Sequence, residues 1–237
     1  TDHDGHGTQM AGMALYGDLR SWEGSTGPVP LEFRLESVKI LGPQGANTPP
    51  ELFGSVTEDA VYLSEINAPG RSRIFCKTVT SPMHQDGLPS SYSAALDKLA
   101  KGSDGGGTRL FVIAAGNVPD NLWQQWPNSN LTYGVEQPGQ AWNALTVGAM
   151  TNMDTMPGGQ DWVGWKPIAP SGELGPFSST SRSWQSWPVK PEVVFEGGNA
   201  AIDSAGQTAL PVTMQMLTTH RNVQAKPLSH TCMTSPV

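Results

Sequence analysis

At 237 residues the chain is long enough to bury a real core, and it falls in the range of one large domain or two small ones. Only 15% of residues are charged and 37% are hydrophobic, with 27 Gly and 20 Pro, which suits a loop-rich α/β protein better than a helical bundle or a disordered chain. A formal net charge of −7 argues against nucleic acid as a partner, because phosphate binding needs a basic face, and no apolar run reaches the roughly 18–20 residues of a membrane span.

Taken in chain order, short apolar runs alternate with helical stretches, the pattern of a parallel sheet with covering helices. Residues 31–41 alternate apolar and polar at Leu31, Phe33 and Leu35, then at Val38 and Ile40, which predicts a strand. Ser55-Val56-Thr57-Glu58 has the spacing of a capping box, so a helix is expected from there to about Ile66, stopped by Pro69-Gly70. Residues 73–80 read as the next strand. Residues 90–101 read as a helix with Tyr92, Ala95, Leu96, Leu99 and Ala100 on one face, ended by Gly102. The run Leu110 to Ala115 is apolar throughout, as expected of a central strand buried on both sides.

Further strands are expected at 144–150 and 193–195. Two surface excursions are expected, 119–142 ahead of the first of these strands and 151–187 between the two, the second carrying Trp162, Trp165, Trp184 and Trp187. The two cysteines, Cys76 and Cys232, do not make a disulfide framework in a chain of this length.

Four segments bear on chemistry. Asp4-Gly5-His6-Gly7-Thr8 sets a histidine between two glycines ahead of small helix formers, which suits an imidazole at a helix start facing a cleft. A structural histidine is the plainer alternative. Ala114-Ala115-Gly116-Asn117 ends a buried strand at the carboxyl edge of the sheet, where the Asn amide can donate to a developing oxyanion or simply form a turn. Lys190 to Val194 and Gly175 to Ser179 offer no obvious reactive group and read as scaffold. The last segment is His230-Thr231-Cys232-Met233-Thr234-Ser235-Pro236. It suits a nucleophile at a helix start, where the dipole and free amides favour an anion, or an inert cysteine.

Together these segments resemble the subtilase (subtilisin-like serine peptidase) family in its own chain order. Asp4 to Gly12 resembles the family's His-Gly-Thr and Ala-Gly motif, and Ala114 to Asn117 its Ala-Ala-Gly-Asn motif. Asn143 to Ala149 resembles the strand that follows, Phe177-Ser178-Ser179 the Phe-Ser-Ser segment, Lys190 to Val194 the Lys-Pro-Asp-Val segment, and Thr231 to Pro236 the Gly-Thr-Ser-Met-Ala-Thr-Pro motif.

The resemblance implies a three-layer α/β fold with a central, mostly parallel sheet and helices on both faces. It implies a single domain over residues 1–237, truncated at both ends, with the triad aspartate strand and the helix after the nucleophile outside it. By the same resemblance His6 is the general base, Asn117 the oxyanion donor, and Cys232 holds the position of the nucleophilic serine, with His230 where glycine is usual. Thr78 and Thr80 would line a peptide cleft opposite Ala115 and Gly116, with a peptide or protein as substrate. Asp2 and Asp4 stand too close to His6 to be the family's aspartate, and Ser235 fits the motif worse than Cys232.

Family members often bind calcium, but no site is assigned here, and no other cofactor is expected. Two other functions remain open: an inactive relative that binds peptides, suggested by Cys232 and His230, and a carbohydrate-binding module using the tryptophans as stacking platforms. His3 and His6, with Asp2 and Asp4 beside them, form a weaker metal candidate.

Overall fold

The computed structural model describes residues 2, 5–42, 48–81, 86–185 and 188–222. Helix α1 (His6–Tyr16) is followed by α2 (Phe53–Asn67), β1 (Ile74–Lys77), α3 (Ser91–Lys101), β2 (Leu110–Ala114), α4 (Asn128–Thr132) and β3 (Leu145–Thr151). The short strands β4 (Lys166–Pro167) and β5 (Glu173–Leu174) come next, then β6 (Val193–Glu196), β7 (Ala201–Ile202) and β8 (Thr208–Ala209).

The main sheet is mostly parallel. β1 pairs with β2 (Cys76↔Val112), β2 with β3 (Ile113↔Thr146), and β3 with β6 (Val147↔Val193), while β5 joins β3 antiparallel (Met150↔Leu174). A separate antiparallel sheet runs β4-β7-β8. The fold is therefore the expected α/β class.

α3 begins where its sequence says it should. The Ser90 side chain caps the Ser93 amide, the Ser93 hydroxyl accepts from the Ser90 amide in return, and Gly102 closes the helix in the left-handed conformation that glycine tolerates. Its buried face (Tyr92, Leu96, Leu99, Ala100) packs with Val61 of α2 on Phe111 and Ile113 of β2. Rings reinforce this layer: Phe75 stacks on Phe111 at 5.1 Å, and Phe53 meets Tyr92 edge-on at 5.8 Å. At the helical layer's margin, Arg109 pairs with Glu65 and Asp104 and donates to the Leu99 carbonyl, and its guanidinium holds the Asp104 carboxyl down at about 2.

Four expectations need correction. Residues 31–41 form no strand: the alternation is real, but no neighbour pairs with it among the described residues, and Leu31, Phe33, Leu35 and Val38 are 43–64% exposed. Glu36 is held there by Arg71 and Arg73. α2 starts at Phe53, not at the Ser55 box, because Pro50 opens a 3-10 turn that leads straight into the helix.

β2 is fully buried on one face and only in part on the other, where Ala114 is buried but Val112 is half-buried. Phe111 and Ile113 point to the helices, while Leu110 on the other face stands exposed beside Ile74 of β1, as does Phe195 on β6. Finally, 119–142 is not all surface: residues 134–141 are buried throughout.

Lys77 is the odd member of β1. It is 7% exposed, on the helical face of the sheet, with its ammonium 5.2 Å from the Tyr92 ring centroid, and burial pushes its pKa down from 10.5 to about 7. The folded chain therefore binds fewer protons than the unfolded one between pH 7 and 10.5, and stability at this site is lost as pH falls through that window. Lys77→Met is expected to raise unfolding free energy by about 1–3 kcal/mol at pH 6–7 and by little near pH 10.5. Urea melts at the two pH values test this.

Candidate active site

α1 begins at His6, as its sequence predicts, and Gly5 precedes it at φ 98°. Asp2 closes the helix start: one carboxylate oxygen accepts from the Gly5 amide at 3.1 Å, and the other accepts from the Thr8 amide at 2.8 Å and the Thr8 hydroxyl at 2.6 Å. Asp2 thus serves as a cap for the helix that carries His6. The His6 side chain is half-buried.

The same helix is fastened to a distant part of the chain. Thr219 donates its hydroxyl to the Thr8 carbonyl at 2.6 Å, and Thr218 donates to the Gln9 carbonyl at 2.9 Å. This contact needs Gly12, since a Cβ there would lie 2.3 Å from the Thr219 hydroxyl and 2.8 Å from its amide nitrogen. Beyond α1, the Leu217 amide donates to Asp18, and Arg20 reaches the carbonyls of Val212, Thr213 and Gln215. Arg221 lies against Gly5.

A second group forms at the carboxyl end of β2. The Ala115 amide donates to the Val147 carbonyl at 2.9 Å, continuing the sheet by one residue. The Ala115 carbonyl accepts from the Glu136 amide at 2.9 Å and from the Ser179 hydroxyl at 2.7 Å. Gly116 follows at φ 100°, a conformation that favours glycine, and turns the chain into Asn117, which bridges to Ser178. Across the gap, Ser81 and Gln137 exchange two backbone hydrogen bonds, 2.8 and 3.2 Å long.

Between these walls lies Glu136. The Thr80 hydroxyl donates to its carboxylate, Tyr133 also hydrogen-bonds it, and its side-chain stem sits directly against Gly116, where a Cβ would come within 2.6 Å. Burial pushes the Glu136 carboxyl up, and the two hydroxyls pull it partly back.

The structure thus gathers Thr80, Ala115 and Gly116 around one carboxylate, with Asn117 next in the chain. Thr78 lies half-buried just past β1. Cys232, His230 and Ser235 lie outside the described residues, as do His3 and Asp4. Glu136 was missed from sequence, although a signal existed: it is the single charged residue between Asp120 and Asp154.

The segments read as scaffold act as scaffold. Lys190 is buried and donates to the Ala144 carbonyl and to Glu192, and the Ser178 hydroxyl accepts from the Ala149 amide. Cys76 is free and exposed on β1. No cluster of three or more metal-ligating side chains occurs among the described residues.

A model of the subtilase family matches residues 1–237, the whole chain. The chain belongs to the subtilase family. No curated protein matches it. Among solved structures, the prenylagaramide maturation protease PagA is similar over 87% of this chain, at 18% identity and a TM-score of 0.41. This subtilase chain spans 58% of that protein's length.

Gly12→Ala is expected to destabilise the fold by about 1–3 kcal/mol, because the added methyl meets backbone as well as side chain. Thermal unfolding measures the loss, and hydrogen exchange at Thr8 to Gly12 should rise with it as residues 217–219 are forced away from α1.

Proposed function

We propose that the chain carries peptidase chemistry that cleaves peptide bonds through an acyl-enzyme, with Cys232 as nucleophile, His6 as general base and Asn117 as oxyanion donor. The observation that supports this reading most is the fastening of residues 218–219 onto the first turns of the helix that begins at His6. Arg221, two residues further on, lies against Gly5, which immediately precedes that histidine. Asn117, at the carboxyl edge of β2, has the placement that an α/β sheet gives its ligands.

In this mechanism His6 takes the Cys232 thiol proton as sulfur attacks the scissile carbonyl carbon. The oxyanion accepts a hydrogen bond from the Asn117 amide, the C–N bond breaks, and His6 returns the proton to the departing amine. Water then attacks the thioester, giving its proton to His6, and as the C–S bond breaks His6 passes that proton to the departing sulfur, releasing the acid and the free thiol. Thr78 and Thr80 form one wall of the substrate cleft and Ala115 and Gly116 the other, so that a peptide or protein segment lies between them as an extended strand.

A second reading follows from Cys232 and His230, which stand where the family has serine and glycine: the chain binds peptides without cutting them. Turnover accompanied by covalent labelling of Cys232 would reject it, and recovery of tightly bound, intact peptide would favour it.

Cys232→Ser is expected to increase hydrolysis of a fluorogenic peptide, and no change from a null rate would sink the catalytic assignment. In any active form, Asn117→Ala should lower kcat by about 10²–10³-fold, the range known for this donor in the family, with a smaller effect on KM. His6→Ala should abolish the thiol-dependent turnover.

A further inference from the structure

We propose that Glu136 selects a cationic side chain, lysine or arginine, on the substrate residue whose carbonyl meets Asn117. This rests on the peptidase reading and names its substrate class.

β1 and β2 pair in register as far as Lys77↔Ile113. Past that point the two segments are joined through residues 136–137 instead: Ala115 through the Glu136 amide, Ser81 through both backbone groups of Gln137. Residues 136–137 therefore floor the space between the two cleft walls. One wall contributes the Thr80 hydroxyl and the other the bare backbone of Gly116, and the carboxylate side chain of Glu136 lies under both.

Gly116 immediately precedes Asn117. A substrate residue with its carbonyl oxygen at the Asn117 amide thus carries its side chain over Gly116 and down toward Glu136.

The chemistry at the floor favours a cation. Glu136 is 7% exposed, and its two side-chain partners are neutral hydroxyls, from Thr80 and Tyr133. Among the described residues no ion pair involves it, and no lysine, arginine or aspartate lies between residues 121 and 153. A buried carboxylate held only by neutral donors keeps much of its desolvation cost, which burial registers as a raised pKa. An ammonium or guanidinium arriving with the substrate supplies the missing counter-charge. An apolar side chain leaves the carboxylate further desolvated, and an acidic one adds repulsion, so the site discriminates by what it rejects as well as by what it holds.

The test uses peptide aldehydes on the full chain, identical except that the aldehyde-bearing residue is lysine, arginine, norleucine, glutamine or glutamate. Binding is read by fluorescence anisotropy and, in parallel, hydrolysis of the corresponding peptides is followed. Lysine and arginine are expected to bind at least about tenfold tighter than norleucine, and glutamate weakest. In Glu136→Gln the gap between lysine and norleucine should fall to about twofold or less.

Equal binding of lysine and norleucine by the native chain overturns the inference alone and leaves the peptidase reading standing, as does a preference that survives Glu136→Gln. Failure of every aldehyde to bind, with no hydrolysis of any peptide, overturns both. The comparison on the native chain does not depend on the variant folding.

Discussion

The hydrogen bonds of Ala115 hold the candidate site in shape. Its amide still belongs to the sheet, donating to Val147, while its carbonyl has already left it, accepting from Glu136 and Ser179. One fully buried residue therefore ties three distant stretches of chain to the end of β2. Everything after it follows from that anchoring: Gly116 can take its positive φ, Asn117 emerges beside Ser178, and residues 136–137 reach across to Ser81. In a protein with few charges and many glycines, backbone and hydroxyl hydrogen bonds do the positioning that ion pairs do elsewhere.

The other half of the proposed chemistry is built by the opposite strategy. α1 has no buried large apolar side chain, and its one buried residue is Gly12. Its position is set by the Asp2 cap at one end and by the hydroxyls of Thr218 and Thr219 along its side. Such a helix owes its place to a few directional contacts made late in the chain. His6 and Asn117 are therefore secured by different means, one by long-range side-chain hydrogen bonds and one by the sheet.

What could be read from the sequence was whatever local pattern and burial agree on. α3 has the span, the stop at Gly102 and the single apolar face that the spacing says, and the structure adds a reciprocal cap between Ser90 and Ser93. β2, β3 and β6 lie where short apolar runs place them, and the helix at His6 begins where its flanking glycines suggest. Residues 31–41 show the limit of pattern, because alternation makes a strand only when a neighbour accepts its hydrogen bonds.

Residues 134–141 show the reverse limit. Val135, Glu136, Gln137, Pro138 and Gly139 look like a surface turn, yet they are buried because they fill the space where β1 and β2 part. Glu136 escaped notice for the same reason: its importance comes from Thr80 and Gly116, residues far from it in sequence.

Gly12 and the threonine pair at 218 and 219 occupy what is in effect one shared volume, although about two hundred positions separate them in the chain. Neither partner can grow unless the other shrinks, so drift at the three positions must be concerted. Among relatives that keep this helix seated, a bulkier residue at position 12 should travel with a smaller one opposite, and an unmatched change would mark a chain whose first helix has come adrift from its strap.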